Sequence, residues 1–480
     1  MVPILSIPGP RGPGATRRIL KRLTCTGRLS EVIAVARVKR IMIQAPETAQ
    51  RWRRTVRRVQ VLEEILTQVI AAVQSGVPAD RRLAELLRSR REIGARDRRF
   101  ISDTLFSYFR WWGWLRAWGI ADLMGAALLA SLLDRPASGD EGRAMSQRCA
   151  FRLPLDALKD LHRAALGRKA ELVAHALDLR RSPLPQELLP AWFWEEITVP
   201  ESREVGAWQE RLVNCLQTRP PVWLRAPAGR GAELAERLRA EGLPARCHPR
   251  LPNAVGVSKP FPAVDLRRRT GIGFEVQDLA SQCAVEILDP QPGMRIWDAS
   301  AGAGGKTLQI AERVGPEGWV LATDIRPTVL RNAVRRIAAQ GLKNVTVARA
   351  DVLAADLPGG AFDAVLLDAP CSGTGTWNRN PDARWRTPRE APRRFGLIQM
   401  RMLEHVAERI RPGGRLVYSV CTLTKVETLD AVEEFLSVRA DFALEERIHP
   451  LVERRESPLW VFPWMGPCDG MFIACLLRRG

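Results

Sequence analysis

The chain has 480 residues, which at about 150 residues per domain predicts about three domains. Hydrophobic residues make up 46% and charged residues 26%, as in a soluble globular protein, and no run approaches the ~18 uninterrupted apolar residues of a membrane span. The formal charge is +20, and residues 1–60 carry 14 Lys/Arg against only Glu31 and Glu47, so a basic arm precedes a modestly basic body.

Residues 1–50 read as a basic, disordered extension. It is either an arm for a polyanion such as nucleic acid or a solubilising tail. Its Pro-Gly-Pro-Arg-Gly-Pro-Gly run at 8–14 would break the amphipathic helix of an organellar transit segment. Residues 51–177 are expected to be helical. Val61, Ile65, Leu66, Val69 and Val73 recur at spacings of three and four, the face of one helix. Further helices are predicted near 83–89, 98–118, 123–133 and 157–164. Arg96, Arg98 and Arg99 precede Phe100, Phe106, Tyr108, Phe109, Trp111, Trp112 and Trp114. This interleaving suits RNA contact and base stacking, or a helical core with a charged rim.

Prolines punctuate residues 178–255, a small α/β element with strands at 222–225 and 245–248 around a helix at 231–241. From 256 to 480 strands and helices alternate. Strands are predicted at 294–298, 319–324, 344–350, 362–367, 414–420, 460–463 and 471–477. Helices are predicted in between, at 327–340, 395–410 and 426–438. This pattern calls for an α/β domain with a mainly parallel sheet and ligands beyond the carboxyl ends of its strands.

The first of these strands runs into Ser300, Ala301, Gly302, Ala303, Gly304, Gly305 and Lys306, a loop of small residues that lets a ligand approach the backbone before a helix N-terminus. The fit to a dinucleotide fingerprint is poor, because the later glycine is missing. Four successive strands end in an acid, at Asp298, Asp324, Asp351 and Asp368. Asp324, 22 residues beyond Gly302, is placed for ribose hydroxyls. Asx turns would account for one such acid. Four beside the loop point to a nucleoside-bearing cofactor.

Nine cysteines are scattered without a CxxC pair, so no zinc site is expected. The odd count without a secretory signal reads as reduced thiols in a cytoplasmic protein, a monomer by default. Two of the cysteines stand at strand ends. Asp368-Ala369-Pro370-Cys371-Ser372-Gly373-Thr374-Gly375 follows the fourth strand and Tyr418-Ser419-Val420-Cys421-Thr422 the fifth. In a doubly wound sheet these ends share one crevice.

These motifs, with Phe274-Glu275-Val276-Gln277-Asp278, the Gly-Gly-Lys-Thr loop and Asn380-Pro381-Asp382-Ala383-Arg384-Trp385, stand in the order that resembles the RNA cytosine carbon-5 methyltransferases of the RsmB (Sun, Fmu) type, over residues 270–480. The helical region with Asp97-Arg98-Arg99 is similar to the NusB-like RNA-binding domain of bacterial members. The resemblance implies a Rossmann-like S-adenosylmethionine methyltransferase domain at 256–480, a linking subdomain at 178–255 and an all-α NusB-like domain at 51–177. It implies an RNA substrate, ribosomal above all, with no membrane or metal. Cys421 would add to cytosine carbon-6 as nucleophile, Cys371 would assist product release, and Asp368 would hold the pyrimidine edge. Residues Ser300 to Lys306, with Asp324, Asp351 and Asp368, would hold S-adenosylmethionine. Family members usually carry proline where Ala303 stands, so a looser loop is expected. Two other readings are an amino-group methyltransferase, which Asp-Ala-Pro-Cys disfavours, and a non-catalytic RNA-binding or ribosome assembly factor that kept the fold.

Overall fold

The computed structural model describes residues 29–136, 139–197, 205–259, 261–354 and 360–480, with side chains from residue 49. The first part of the basic extension, residues 1–28, lies outside the described residues. Its second part is not an irregular arm: helix α1 runs over Leu29–Gln74. Residues 34–43 hold neither Gly nor Pro, so nothing there breaks a helix.

In the helical region α1 packs against α2 (Ala79–Ser89), α3 (Ala95–Ala117) and α5 (Gly139–Ser146), while α4 (Leu123–Asp134) packs on α3 and α5, and α6 (Leu166–Ala176) on the 3-10 turn that precedes it. The periodic face of α1 is buried, with Leu62 and Val59 on it and Val61 only half-buried. Residues 157–164 are not an α-helix but turns ending in one 3-10 turn at Leu161–Arg163. Their buried residues, Leu158 and Leu161, recur every third position, which suits that tighter winding. The aromatic run of α3 divides: Phe100, Phe106, Tyr108 and Trp112 are half-buried, and the rest is core. Phe109, Trp111 and Trp114 are at most 1% exposed. The indoles of Trp111 and Trp114 donate to Asp134 Oδ1 (2.5 Å) and Leu184 O (2.8 Å), the usual arrangement for a buried indole. Arg96 and Arg99 stay on the exposed rim.

Two short helices, α7 (Ala191–Glu196) and α8 (Val205–Leu216), lead to a four-stranded antiparallel sheet in the order β2-β3-β1-β4. Its strands are β1 (Val222–Arg225), β2 (Ala245–Cys247), β3 (Ala254–Val257) and β4 (Glu275–Val276), with α9 (Gly231–Ala240) and α10 (Ala263–Thr270) packed on it. The small element therefore reaches past residue 255, because β4 pairs with β1.

After α11 (Leu279–Leu288) the main sheet begins. Its strands are β5 (Arg295–Asp298), β6 (Trp319–Asp324), β7 (Val345–Arg349), β8 (Phe362–Asp368), β9 (Ile410–Val420), β10 (Phe442–Leu444), β13 (Leu459–Val461) and β14 (Met471–Arg478). A separate ribbon pairs β11 (Arg447–Ile448) with β12 (Arg455–Glu456). The main order is β10-β14-β9-β8-β5-β6-β7, with β9 to β7 parallel and β14 antiparallel to β9. Between the strands run α12 (Gly305–Val314), α13 (Pro327–Ala339), the one-turn α14 (Ala383–Arg386), α15 (Ala391–Ala407) and α16 (Leu429–Val438).

Side chains alternate across the sheet with period two. Ile296, Val320, Ala364, Leu366 and Val417 pack on α11 and α12. Trp297, Leu321, Val365, Leu367, Leu416 and Tyr418 pack on α15 and α16. Both faces are covered, which is why the central strands are nearly continuous in apolar residues. The chain goes from β5 to β6 and β7 in one direction, then returns to β8 and β9 on the other side. The order reverses between β5 and β8, and a ligand crevice opens at the carboxyl ends of strands at such a point.

Candidate active site

The loop after β5 folds tightly against its neighbours. Ala299 N donates to Leu366 O (2.9 Å) and Ala301 N to Thr323 O (2.8 Å). Gly302 and Gly304 take φ of +54° and +82°, where a side chain is strained. At Gly304 a Cβ would also sit 3.1 Å from Ala333 Cβ, so the loop rests directly on α13. The Ala303 carbonyl is held from outside the loop. Arg336 of α13 donates to Ala303 O (2.6 Å) and pairs with Glu275 of β4 (2.5 Å), tying the loop to the small sheet.

Beyond this loop lies a cleft of about 750 Å³, within the range of small-molecule sites. Ser300, Ala301, Gly302, Ala303, Gly305, Lys306, Asp324, Asp351 and Asp368 line it; Gly304 supports it from behind. Asp324 accepts from Gly302 N (3.0 Å) and from Arg326 N, Nε and Nη2 (2.8–2.9 Å). Burial opposes its charge, but the Arg326 and Gly302 bonds outweigh that and hold the carboxyl below its ordinary range. Asp351, exposed at the rim, accepts from Leu353 N (3.0 Å).

Asp298, at the floor, is 1% exposed. Its Oδ2 accepts from Thr307 Oγ1 (2.6 Å), while its buried Oδ1 has no well-aligned donor among the described residues, the Ser300 N–H being the nearest backbone donor to the carboxyl. Burial pushes its pKa up to about 6 despite the Thr307 bond and the charge of Lys306. An unpaired buried oxygen facing a cleft is an acceptor waiting for a donor. With the glycine cradle and the acids at the ends of β5 and β6, it fits a ligand carrying both a nucleoside and an ammonium group.

Lys306 and Asp368 join this cleft to the cysteines. Lys306 Nζ is 2.6 Å from Asp368 Oδ2, and Ser419 Oγ donates to Oδ1 (2.9 Å). Burial disfavours the Lys306 charge, but Asp368, with help from Asp298 and Cys421, holds its pKa above the ordinary value. The Cys371 and Cys421 sulfurs are 3.3 Å apart. Gly375 N donates to Cys421 O (3.0 Å), and a Cβ at Gly375 would lie 2.1 Å from Gly470 O, so only glycine lets the Cys371 loop close on the turn before β14.

The segment after Cys371 docks on the helical region. Trp385 Nε1 donates to Phe109 O (2.8 Å), Asp382 Oδ2 accepts from Ala79 N (3.1 Å), and Trp112 meets Trp385 at 6.1 Å between ring centres. The aromatic residues of α3 thus support the cysteine loop.

The sequence reading missed Arg326 and Glu427 and saw Asp298 only in part. Arg326 sits two positions after a strand-end acid and carries no motif. Asp298 was legible as a strand-end acid but not as an unpaired one. Glu427 accepts hydrogen bonds from both cysteine loops.

A family model described as 16S rRNA methyltransferase RsmB/F matches residues 285–477. Ribosomal RNA small subunit methyltransferase B of Salmonella paratyphi C is 34% identical over 299 residues, which span 61% of this chain and 67% of that protein. The protein of the same name from Xanthomonas campestris is 34% identical over 263 residues, 54% of this chain and 60% of its own length. The crystal structure of PH0851, 22% identical, superposes with a TM-score of 0.65 and covers 86% of this chain and 98% of its own, which shows a shared fold. This chain therefore belongs to the RsmB/F methyltransferase family.

Proposed function

We propose that this enzyme transfers a methyl group from S-adenosylmethionine to carbon-5 of a cytosine in small-subunit ribosomal RNA, through a covalent bond between Cys421 and carbon-6. The observation that carries the reading is the cysteine pair, 3.3 Å apart, beside the Lys306–Asp368 pair at the edge of the cofactor cleft.

S-adenosylmethionine supplies an electrophilic methyl on a sulfonium. Asp324 and the Gly302 turn would hold its nucleoside, and Asp298 would receive its ammonium. Carbon-5 of cytosine is a weak nucleophile. Addition of the Cys421 thiolate to carbon-6 makes the ring an enamine whose carbon-5 can attack, dividing one hard step into two. Asp368 and Lys306 hold the pyrimidine edge and offset the charge that develops there. Release then needs carbon-5 to lose its proton and the carbon-6–sulfur bond to break. The Cys371 thiol gives its proton to the departing Cys421 sulfur. The Cys371 thiolate so formed takes the carbon-5 proton, and that C–H pair becomes the new carbon-5–carbon-6 double bond.

The remaining assignments belong to the same reading. Residues 51–177 act as a NusB-like RNA-binding domain, 178–255 as a linking subdomain and 256–480 as the catalytic domain. The protein works as a monomer in the cytoplasm, where two neighbouring thiols stay reduced.

The test is Cys371→Ala incubated with S-adenosylmethionine and small-subunit ribosomal RNA. A protein–RNA adduct is expected on a denaturing gel, and further replacement of Cys421 by Ala abolishes it. If the wild type neither methylates the RNA nor binds the cofactor, the assembly-factor reading replaces this one.

A further inference from the structure

Both cysteine loops converge on one carboxylate. Glu427, six residues after Cys421, is completely buried. Its Oε1 accepts from Ser372 N (2.8 Å) and Gln399 Nε2 (3.2 Å). Its Oε2 accepts from Ser372 Oγ, Thr422 Oγ1 (3.1 Å) and Thr424 Oγ1 (2.6 Å). Gln399 also donates to Pro370 O (2.8 Å). The residues on both sides of Cys371 and the residue after Cys421 are thus fixed to one centre. Ser372 and Thr422 share a further hydroxyl contact of 2.8 Å.

Among the described residues no Lys, Arg or His pairs with Glu427. A buried carboxylate without a counter-ion is costly, and a neutral side chain of the same size would fill the space with a smaller desolvation penalty. Burial raises the Glu427 pKa against the bonds from Ser372, Thr424 and Thr422, so fold stability does not explain a carboxyl here. Its place between the loops does.

We propose that Glu427 is a positioning residue that holds the two cysteine loops in register, so that its loss stalls Cys371-dependent product release rather than methyl transfer. Cys371 lies on the more dependent loop, with Ser372 bonded to Glu427 through both N and Oγ. The electrostatics agree. The Cys421 contact, burial and the nearby Cys421 and Glu427 charges all push the Cys371 pKa well above its ordinary value. Cys371 stays a thiol, the form that can donate to the departing sulfur.

The inference rests on the cysteine chemistry proposed above. Its test is Glu427→Gln, which keeps shape and removes charge. The amide oxygen can still face the Ser372 and Gln399 N–H groups, while its NH2 replaces the acceptor that served three hydroxyls. Single-turnover methyl transfer should stay within about threefold of wild type, while multiple turnover falls at least about tenfold and RNA–protein adduct accumulates. Ser372→Ala should give a smaller loss of the same kind, and it carries the test if Glu427→Gln does not fold. Normal turnover without adduct, or both rates falling together, overturns the role of Glu427. An adduct trapped by Cys371→Ala but not by Glu427→Gln removes Glu427 alone. No adduct in either variant removes the underlying cysteine reading.

Discussion

The Cys371 sulfur lies 3.3 Å from the Cys421 sulfur across 50 residues of chain. Strand register brings them together. β8 and β9 are adjacent and parallel, with Asp368 opposite Ser419. Cys371 follows three residues after the first and Cys421 two after the second, so both thiols emerge at the same height. The contact with Cys421 is the largest cause of the raised Cys371 pKa. Cys421→Ser should therefore lower it, because serine carries no charge and can donate to a Cys371 thiolate. The thiolate is the form that alkylates. Site-resolved mass spectrometry should show faster iodoacetamide labelling of Cys371 at pH 8 in the variant than in the wild type. An unchanged or slower rate would contradict this account of the pair.

A second prediction concerns the pair linking cleft and cysteines. Lys306→Met keeps the alkyl stem and, among the described residues, leaves Asp368 with only the Ser419 hydroxyl. Methyl transfer measured with labelled S-adenosylmethionine should fall by roughly 100-fold or more, the scale on which a preorganised charge acts in a dry site. Lys306→Arg should not restore it, because a planar fork cannot take the place of an ammonium held 2.6 Å from one carboxylate oxygen. Activity within about threefold of wild type for Lys306→Met would remove the pair from the catalytic machinery.

Much of this site was legible because it stands at strand ends. Asp298, Asp324, Asp368, Cys371 and Cys421 all follow apolar runs whose period and turns are local signals. What the sequence hid depends on contacts between distant parts. Thr424 and Glu427 have the spacing of a helix-capping box, and nothing local says that Glu427 reaches Ser372, 55 residues away. β3 contains Gly256, and β4 is only two residues long, so neither has a strand pattern. Helix α11 escaped because it is apolar on nearly every side, lying between the main sheet and its neighbours, and so shows no amphipathic period. The aromatic run of α3 read more readily as core than as an RNA platform, because so many aromatics cannot all be exposed; the acceptors for its buried indoles, Asp134 and Leu184, come from elsewhere in the chain.

Asp298 gives a prediction about stability. Burial raises its folded pKa from 3.8 to about 6. The protonated form is thus favoured by folding, and that stabilisation is complete below pH 3.8 and lost as pH rises through about 6. Above that, the buried charge opposes the fold by roughly 3 kcal/mol, at about 1.36 kcal/mol per pKa unit. Asp298→Asn should raise the melting temperature of the cofactor-free protein at pH 8, with a gain that shrinks toward pH 4, while weakening S-adenosylmethionine binding. Thermal melts at both pH values and a titration of the cofactor check the two parts. A gain independent of pH would mean that the Asp298 charge is not its source.

The last prediction concerns how the helical region supports the cysteine loop. Arg384 is completely buried, and among the described residues no carboxylate pairs with it. Burial, reinforced by the Arg110 charge and partly opposed by Asp134, lowers its pKa to about 9. Its guanidinium instead reaches oxygens on several elements: Leu216 O and Gln217 Oε1 at the end of α8, Leu188 O, Arg110 O on α3, and Trp377 O on the cysteine loop itself. A rigid fork with five N–H donors can serve such a spread of acceptors, and an ammonium with three donors on a shorter stem cannot. Arg384→Lys should therefore leave buried carbonyls unpaired, at about 1–3 kcal/mol for each group left without a partner. The loss should fall where α3, α8 and residues 377–386 meet. Thermal melting should drop by several degrees, and limited proteolysis should cut residues 377–386 faster than in the wild type. A variant that melts normally and resists the protease would show that the packing of Trp377 and Trp385 secures this junction without the arginine.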